Sequence, residues 1–482
     1  MGGLAFLTAF YRGYSCVWLM QCRNRIIIGN VDMQAFDLIV IGSGAAGSVA
    51  ARTCRSAGWA VAVVDSLPFG GTCALRGCDP KKVLVGAADL LDWSRRMNEK
   101  RTVKGDLEID WPELMRFKHT FTDPAPKQAE QSFEQAGIKC FHGRAKFIDH
   151  KAIEIEGEKL EARYFLIATG ATPASLKIPG EDYLIDSTRF MELEQLPNDI
   201  VFVGGGFIAM EFAHVAVRAG SRVTVLHRGD RVLEGFDPDL VSTLAGATTT
   251  LGVSIHTATS VEAIEKAANG RLTVLAKHHG VSVSFECDLA VHAAGRIPDL
   301  DELELDAAGV STEKRGVAVN EYLQSITNPA VYAGGDAAAT DGLPLTPVAG
   351  YDGKLIAANL LDGNHLQAEY HLIPSVVFTI PPLASVGLSE QAATQQGLHF
   401  RKNMMDTGGW YSSRRVADKT SAFKVLIEEG SERILGAHLL GPAAEETINL
   451  FTLAMRFDIN AEQLKQVLFA YPSHASDMKY ML

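Results

Sequence analysis

Two stretches of this chain repeat one pattern about 160 residues apart, and that repeat limits the fold more than any other feature of the sequence. The first opens with Asp37-Leu38-Ile39-Val40-Ile41, an unbroken apolar run that suits a parallel strand buried on both faces. It continues through Gly42-Ser43-Gly44-Ala45-Ala46-Gly47 into a small-residue helix reaching Ala57-Gly58, then into a second strand, Ala60-Val61-Ala62-Val63-Val64, ending at Asp65. In that setting the first glycine makes the tight turn, the second lets a diphosphate approach the backbone, and the third lets helix and strand lie close. The helix N-terminus attracts phosphate, and the closing carboxylate suits ribose hydroxyls. A lone GxGxxG is a weak signal, whereas strand, turn, helix, strand and acid together are a strong one.

The second copy runs Asp199-Ile200-Val201-Phe202-Val203, then Gly204-Gly205-Gly206-Phe207-Ile208-Ala209, with Ala209 in the permitted place of the third glycine. A helix to Ala219-Gly220 and a strand Arg222-Val223-Thr224-Val225-Leu226 follow, ending at His227-Arg228. Gly44 to Asp65 and Gly206 to His227 both span 21 residues, so an imidazole followed by Arg228 stands where the first copy has its acid. A carboxylate there would repel a 2′-phosphate, while Arg228, helped by His227 or Arg231, would bind one. The second nucleotide is therefore expected to be NADPH, with NADH as the alternative if Arg228 is merely solvated.

Beside the first copy lies Gly70-Gly71-Thr72-Cys73-Ala74-Leu75-Arg76-Gly77-Cys78-Asp79-Pro80-Lys81-Lys82. Four intervening residues are too many for one regular helical turn, yet a strand-to-helix turn brings two cysteines within the ~7 Å between Cα atoms that a disulfide needs. Pro80 suits the first turn of a helix starting near Cys78. The N-terminal charge of that helix, with Lys81 and Lys82, would stabilise a thiolate, and Asp79 would oppose it. The plainer readings are a structural disulfide or half of a zinc site. Zinc needs about four ligands and no second Cys or Cys/His pair is near, and a structural bridge is disfavoured in the cytoplasm, the expected location. Two dinucleotide units with a redox pair beside the first suggest that one nucleotide is a flavin.

The length of 482 residues allows three domains, and 47% hydrophobic with 21% charged residues describes a soluble globular chain. No apolar run reaches the ~18 residues that span a bilayer, so no membrane partner is expected. The net charge of −12 argues against nucleic acid as a partner. The seven cysteines, Cys16, Cys22, Cys54, Cys73, Cys78, Cys140 and Cys287, are scattered apart from the central pair and odd in number, unlike a secreted disulfide framework. Residues 1–32 lack a basic n-region and a cleavage site and read as a disordered extension ahead of an alternative start at Met33. Segment 254–292, with its alternating Val281-Ser282-Val283-Ser284-Phe285, reads as antiparallel strands closing the second unit. After about residue 365, Pro374–Thr379, Ala422–Ile427 and Ile434–Leu440 read as strands, and Ala443–Arg456 and Ala461–Leu468 as helices.

With these residues in view the chain, from about Phe36 to its C-terminus, resembles the FAD-dependent pyridine nucleotide-disulfide oxidoreductases, the family of glutathione reductase, dihydrolipoamide dehydrogenase and mercuric reductase. The most specific match is Gly70-Gly71-Thr72-Cys73-x4-Cys78-x-Pro80-x-Lys82; Ala168-Thr169-Gly170, Gly295-Arg296-Ile297-Pro298, Gly334-Gly335-Asp336 and Leu345-Thr346-Pro347-Val348-Ala349-Gly350 follow in the family's order. The resemblance implies an α/β fold: two Rossmann-like dinucleotide-binding domains, for FAD and NAD(P), plus a C-terminal α+β dimerisation domain. The expected boundaries are 33–180 and 291–362 for the two parts of the FAD-binding domain, 181–290 for the NAD(P)-binding domain, and 363–482 for the interface of a homodimer. Cofactor contacts are implied for Gly42, Gly44, Ala46, Gly47, Asp65, Gly71, Thr72, Lys81, Lys82, Ala145, Thr169, Gly170, Gly204, Gly206, Ile208, Glu211, His227, Arg228, Gly295, Asp336, Thr346 and Pro347. Asp336 would bind ribityl hydroxyls or else cap the helix after it, and Lys81 or Lys82 would pair with Glu211. By the same resemblance Cys73 is the interchange thiol that attacks substrate, and Cys78 is the sulfur nearer the flavin.

The C-terminus departs from the family's disulfide reductases, which carry there a histidine that serves the partner subunit's site as acid and base. This chain reads Ala470-Tyr471-Pro472-Ser473-His474-Ala475-Ser476-Asp477, with Tyr471 in the histidine's place. A phenol of pKa about 10 is a poor proton shuttle at neutral pH. Either His474 and Asp477 form a substitute dyad, or the acceptor needs no such proton. Mercuric reductases resemble the chain in having a tyrosine near here, although their C-terminal cysteine pair is absent. The expected function is reduction of a small disulfide or related electrophile by NADPH through the Cys73–Cys78 disulfide. The alternatives are a soft-metal reductase and a redox-sensing flavoprotein that turns over no small molecule.

Overall fold

In a computed structural model describing residues 34–482, the two repeated units form separate sheets, the first parallel except for an antiparallel flank at Ala152–Ile155 and Ala145–Asp149, the second wholly parallel. The expectations for residues 1–32 and for a start at Met33 lie outside the described residues. The first sheet orders its strands Lys139–His142, Val61–Asp65, Gln34–Ile41, Glu158–Ile167, Ala152–Ile155, Ala145–Asp149, and Val331–Ala333 also pairs with Glu158–Ile167. Leu38 faces Val61 on one side and Tyr164 on the other, both in parallel register. Leu38, Ile39 and Val40 are wholly buried because helices Ala45–Ser56 and Thr346–Asp362 cover one face and the 303–310 loop covers the other. A strand with no solvent face has no reason to alternate, which is why it reads as a continuous apolar run.

The second sheet orders Ser254–His256, Arg222–Leu226, Asp199–Val203 and Leu289–His292, all parallel. The expected antiparallel strands are a three-stranded meander, Thr259–Lys266, Leu272–His278 and Val281–Cys287. The two ends of segment 254–292 instead belong to the parallel sheet. Burial separates the two kinds: Val281–Cys287 alternates between open and covered positions, while Ala290, Val291 and His292 are all buried.

Beyond residue 370 the chain forms a five-stranded antiparallel sheet in the order Ser375–Val377, Leu383–Gly387, Ile434–Leu440, Ala422–Glu428, Phe400–Asp406. Helix Ala444–Arg456 lays Ile448, Phe451 and Met455 on this sheet. The next helix, Ala461–Lys465, is shorter than its sequence suggests. Asn460 caps its start, but Val467 and Leu468 find no core to enter and are 43% and 98% exposed, so no burial drives further turns.

One buried cation joins this sheet to the second nucleotide unit. Lys424 Nζ, on strand Ala422–Glu428, lies 2.7 Å from Asp237 Oδ2 and 3.1 Å from Glu390 Oε2, and also contacts Asp239 Oδ2. Asp237 caps helix Pro238–Leu251 of the second unit through the backbone N–H groups of Asp239 and Leu240. Burial opposes a charge on Lys424, but the three carboxylates outweigh it and hold its pKa above the usual range. Removing one partner of a buried pair leaves the other charge stranded, at a cost of about 3–5 kcal/mol. Lys424→Ala is therefore expected to lower the free energy of unfolding measured in urea by that much, and a value within about 0.5 kcal/mol of the parent's contradicts the account.

Candidate active site

The carboxyl ends of the parallel strands of both sheets open into one continuous cavity of about 1170 Å³. The two glycine turns at its wall share one geometry. Gly42 has φ +108° and Gly204 φ +116°, and a Cβ on either would fall about 2 Å from a backbone oxygen, that of Ala168 or of Ala293. Only glycine fits where two chain segments touch with that backbone angle.

A third such contact positions the cysteines. Gly71 has φ +72°, and its Cβ would lie 2.5 Å from Gly44 Cα, so the short helix Gly71–Arg76 begins directly on the first glycine turn. Cys73 sits in that helix, the chain breaks at Gly77, and Cys78 opens the long helix Cys78–Glu99. The two sulfurs are hydrogen-bonded to each other. Cys78 Sγ is 3.5 Å from Thr346 Oγ1, which starts helix Thr346–Asp362, so two helix N-termini converge on this sulfur. Asp79 takes the other sulfur, its Oδ1 accepting from Cys73 Sγ at 3.8 Å.

These contacts divide the pair. The hydrogen bond from Cys73, that from Thr346 and the charge of Lys81 outweigh burial and Asp79, and lower the Cys78 pKa to about 6. The hydrogen bond to Cys78, burial and the Cys78 and Asp79 charges push the Cys73 pKa well above the ordinary thiol range. In the reduced pair Cys78 carries the negative charge at neutral pH and Cys73 the proton.

Of the two lysines it is Lys81 that pairs with Glu211, at 2.8 Å, with both side chains nearly buried. Phe378 completes the arrangement: its N–H donates to Glu211 Oε1 at 2.8 Å, and the Lys81 and Lys82 ammonium groups lie 4.3 and 4.0 Å from its ring centre. Nothing in the sequence marks Phe378, because an aromatic residue after a short strand reads as core. Arg76 was also missed; it lines the cavity from between the cysteines, where it reads only as a spacer.

Most of the other residues expected at a cofactor line the same cavity: Gly42, Gly44, Ala46, Asp65, Gly71, Thr72, Ala145, Thr169, Gly170, Gly204, Gly206, Ile208, His227, Arg228, Gly295, Asp336 and Thr346. Asp65 Oδ2 accepts from the N–H and hydroxyl of Ser43, and Oδ1 from Leu67 N–H. Asp336 sits within the turn Gly335–Ala337, makes no capping hydrogen bond, and has its pKa raised by burial. Gly47, Lys82 and Pro347 do not line it. Gly47 is closed off by Gly42 O, 2.1 Å from where its Cβ would be, Lys82 rests on Phe378, and Pro347 faces solvent. Tyr471, His474 and Asp477 lie outside the cavity of their own chain. Tyr471 is 80% exposed, burial lowers the His474 pKa, and no hydrogen bond or ion pair joins His474 to Asp477 in the turn His474–Tyr480.

Residues 36–353 match the family described as pyridine nucleotide-disulphide oxidoreductase, and residues 373–482 match that family's dimerisation domain. The chain belongs to the pyridine nucleotide-disulphide oxidoreductases. It is 32% identical to a mercuric reductase of Staphylococcus aureus over 92% of this chain and 81% of that one, and 31% identical to a glutathione reductase of Burkholderia cepacia over 92% and 97%. Among solved structures it superposes with a TM-score of 0.84 on the Cu(II) complex of the HOCl-induced flavoprotein disulfide reductase RclA from Escherichia coli, at 26% identity over 93% of this chain and 99% of that one. Pyridine nucleotide-disulphide oxidoreductases are FAD-dependent enzymes that use a pyridine nucleotide. Among the described residues no helix is long and apolar enough to cross a membrane.

A thiol whose pKa is depressed is deprotonated above the lowered value and protonated below it. Iodoacetamide labelling of Cys78 in the reduced protein should therefore persist at pH 7 and fall as pH drops through about 6, against about 8.5 for an ordinary cysteine. Thr346→Val should move that midpoint upward. Equal labelling profiles for Cys73 and Cys78, resolved by mass spectrometry of the peptides, contradict the division of charge.

Proposed function

We propose that this chain is an NADPH-dependent flavoenzyme that reduces a small disulfide or related electrophile through Cys73 and Cys78, and that it works as a homodimer. The observation that carries this reading is the paired sulfurs at the wall of a cavity shared by both glycine turns, one sulfur poised as thiolate and the other as thiol.

The residues fit FAD on two counts. Thr169 Oγ1 is buried at the cavity with no hydrogen-bond partner, and at Gly170 and Gly295 on its wall a Cβ would meet no atom within 4 Å, so the bare backbone leaves cavity space that side chains would fill. Gly42, Gly44, Ala46, Asp65, Thr72, Thr169, Asp336 and Thr346 would hold the cofactor, with Asp65 Oδ1 keeping one lone pair free for a ribose hydroxyl. When bound, FAD supplies the two-electron relay between a reduced nicotinamide and a disulfide. Gly204, Gly206 and Ile208 would receive the diphosphate of the second nucleotide, and Arg228 its 2′-phosphate.

Lys81, fixed by Glu211 and Phe378, holds a positive charge beside Cys78 and favours its thiolate. Two electrons and one proton convert the Cys73–Cys78 disulfide into a thiolate on Cys78 and a thiol on Cys73. Passing that proton to Cys78 frees Cys73 to attack an acceptor disulfide, expelling one thiolate and leaving a mixed disulfide. Cys78 gives the proton up to the first thiolate expelled and then, as thiolate, attacks Cys73, which releases the second acceptor thiolate and restores the internal bridge. The exposure of Tyr471 and its distance from its own cavity support a role for Tyr471, His474 and Asp477 at the second copy's site.

A second reading, reduction of a soft metal ion, is favoured by the mercuric reductase relatives and by the Cu(II) complex of RclA. Here the substrate cation would bind the two sulfurs. Steady-state NADPH oxidation with a panel of disulfides, Hg(II) and Cu(II) separates the readings: the first expects turnover with at least one disulfide, and turnover with metal ions alone replaces it with the second. Turnover of neither class leaves the redox-sensing alternative in their place. Cys78→Ser should cut disulfide turnover by at least about 10³-fold, since bridge re-formation is lost.

A further inference from the structure

The imidazole at residue 227 makes the second glycine unit look like a site without its acid, but the fold returns a carboxylate to the same corner. The loop that follows strand Arg222–Leu226 buries Val232 and Leu233, and Leu233 N–H donates to Gly205 O, 2.9 Å away, in the glycine turn itself. This brings Glu234 back over the strand end. Its Oε1 lies 3.1 Å from His227 Nε2, and 2.0 Å from where a Cβ on Gly229 would be, so the carboxylate occupies the space that glycine leaves open. Arg231 Nη2 donates to Glu234 O at 2.8 Å and fixes the backbone there. His227, Arg228 and Glu234 line the same cavity, and the Glu234 side chain is 62% exposed, open to a ligand.

We propose that Glu234 is the coenzyme-specificity residue of this chain, accepting the free 2′-hydroxyl of NADH and opposing the 2′-phosphate that Arg228 attracts. The inference rests on the nucleotide reading above and deepens it. A carboxylate accepts from a ribose hydroxyl and repels a phosphate dianion. It also occupies His227, which leaves Arg228 as the group free to meet a phosphate. The acid that the fingerprint places 21 residues after its middle glycine here comes from a loop seven residues further on, and the site prefers NADPH over NADH less strongly than Arg228 alone would make it.

The experiment measures equilibrium binding of 2′,5′-ADP and 5′-AMP, by calorimetry, to the oxidised, FAD-loaded full chain, its Glu234→Gln and Glu234→Ala variants, and Arg228→Ala. Equal FAD content and equal thermal midpoints establish that each variant is folded. Both Glu234 variants are expected to shift the affinity ratio toward 2′,5′-ADP by about tenfold, the effect of one nearby like charge partly screened by solvent. A ratio unchanged within about twofold in both overturns the proposal. Arg228→Ala reports separately on the NADPH reading. It should weaken 2′,5′-ADP and spare 5′-AMP, and if it does not, Arg228 is not the phosphate ligand even where the Glu234 shift is found.

Discussion

Everything chemical in this molecule depends on a contact between two glycines. Gly71 meets Gly44 backbone to backbone, with no room for even one carbon between them. That contact seats the helix carrying Cys73 on the first glycine turn and so makes the redox pair part of the same wall that is proposed to hold a flavin. The second break, at Gly77, then lets Cys78 start a new helix facing Thr346. Had the two cysteines shared one continuous helix, Cys78 would sit about two turns past its start and lose the N-terminal charge of its own helix.

The asymmetry between the two thiols arises from competing local effects and not from a single strong one. Burial raises both thiol pKa values, and Asp79 raises both as well. Thr346 lowers both, and Cys78 wins the negative charge because it alone gathers Lys81 and the hydrogen bond from its neighbour. Asp79, which in sequence looks like an obstacle to reactivity at Cys78, makes its contact with Cys73 instead and helps keep the proton there. The ion pair of Lys81 with Glu211 gives the lysine a fixed position, and Phe378 is the residue that makes this possible, by binding the carboxylate through its backbone and both ammonium groups through its ring.

The sequence made legible whatever depends on backbone geometry. Strand, glycine turn and helix announce themselves because only glycine survives at Gly42 and Gly204, and because a strand buried on both faces cannot alternate. The cysteine spacing and Pro80 likewise located the start of the long helix. Less legible were contacts made by side chains distant in the chain. Phe378 and Arg76 carry no local mark, and the choice between Lys81 and Lys82 turns on which face of one helix looks toward Glu211. The acid missing at residue 227 misled in a different way: periodicity specifies what stands at a strand end, but not what a later loop folds back onto it, as Glu234 does.

The buried Lys424 has a further consequence. Its carboxylate partners come from the nucleotide unit, through Asp237 and Asp239, and from the C-terminal sheet's own flank, through Glu390. Neither body can loosen without stranding charge inside the other. On heating, the two should let go together, as one cooperative event in a calorimetric trace where a modular chain of this length would give separate peaks.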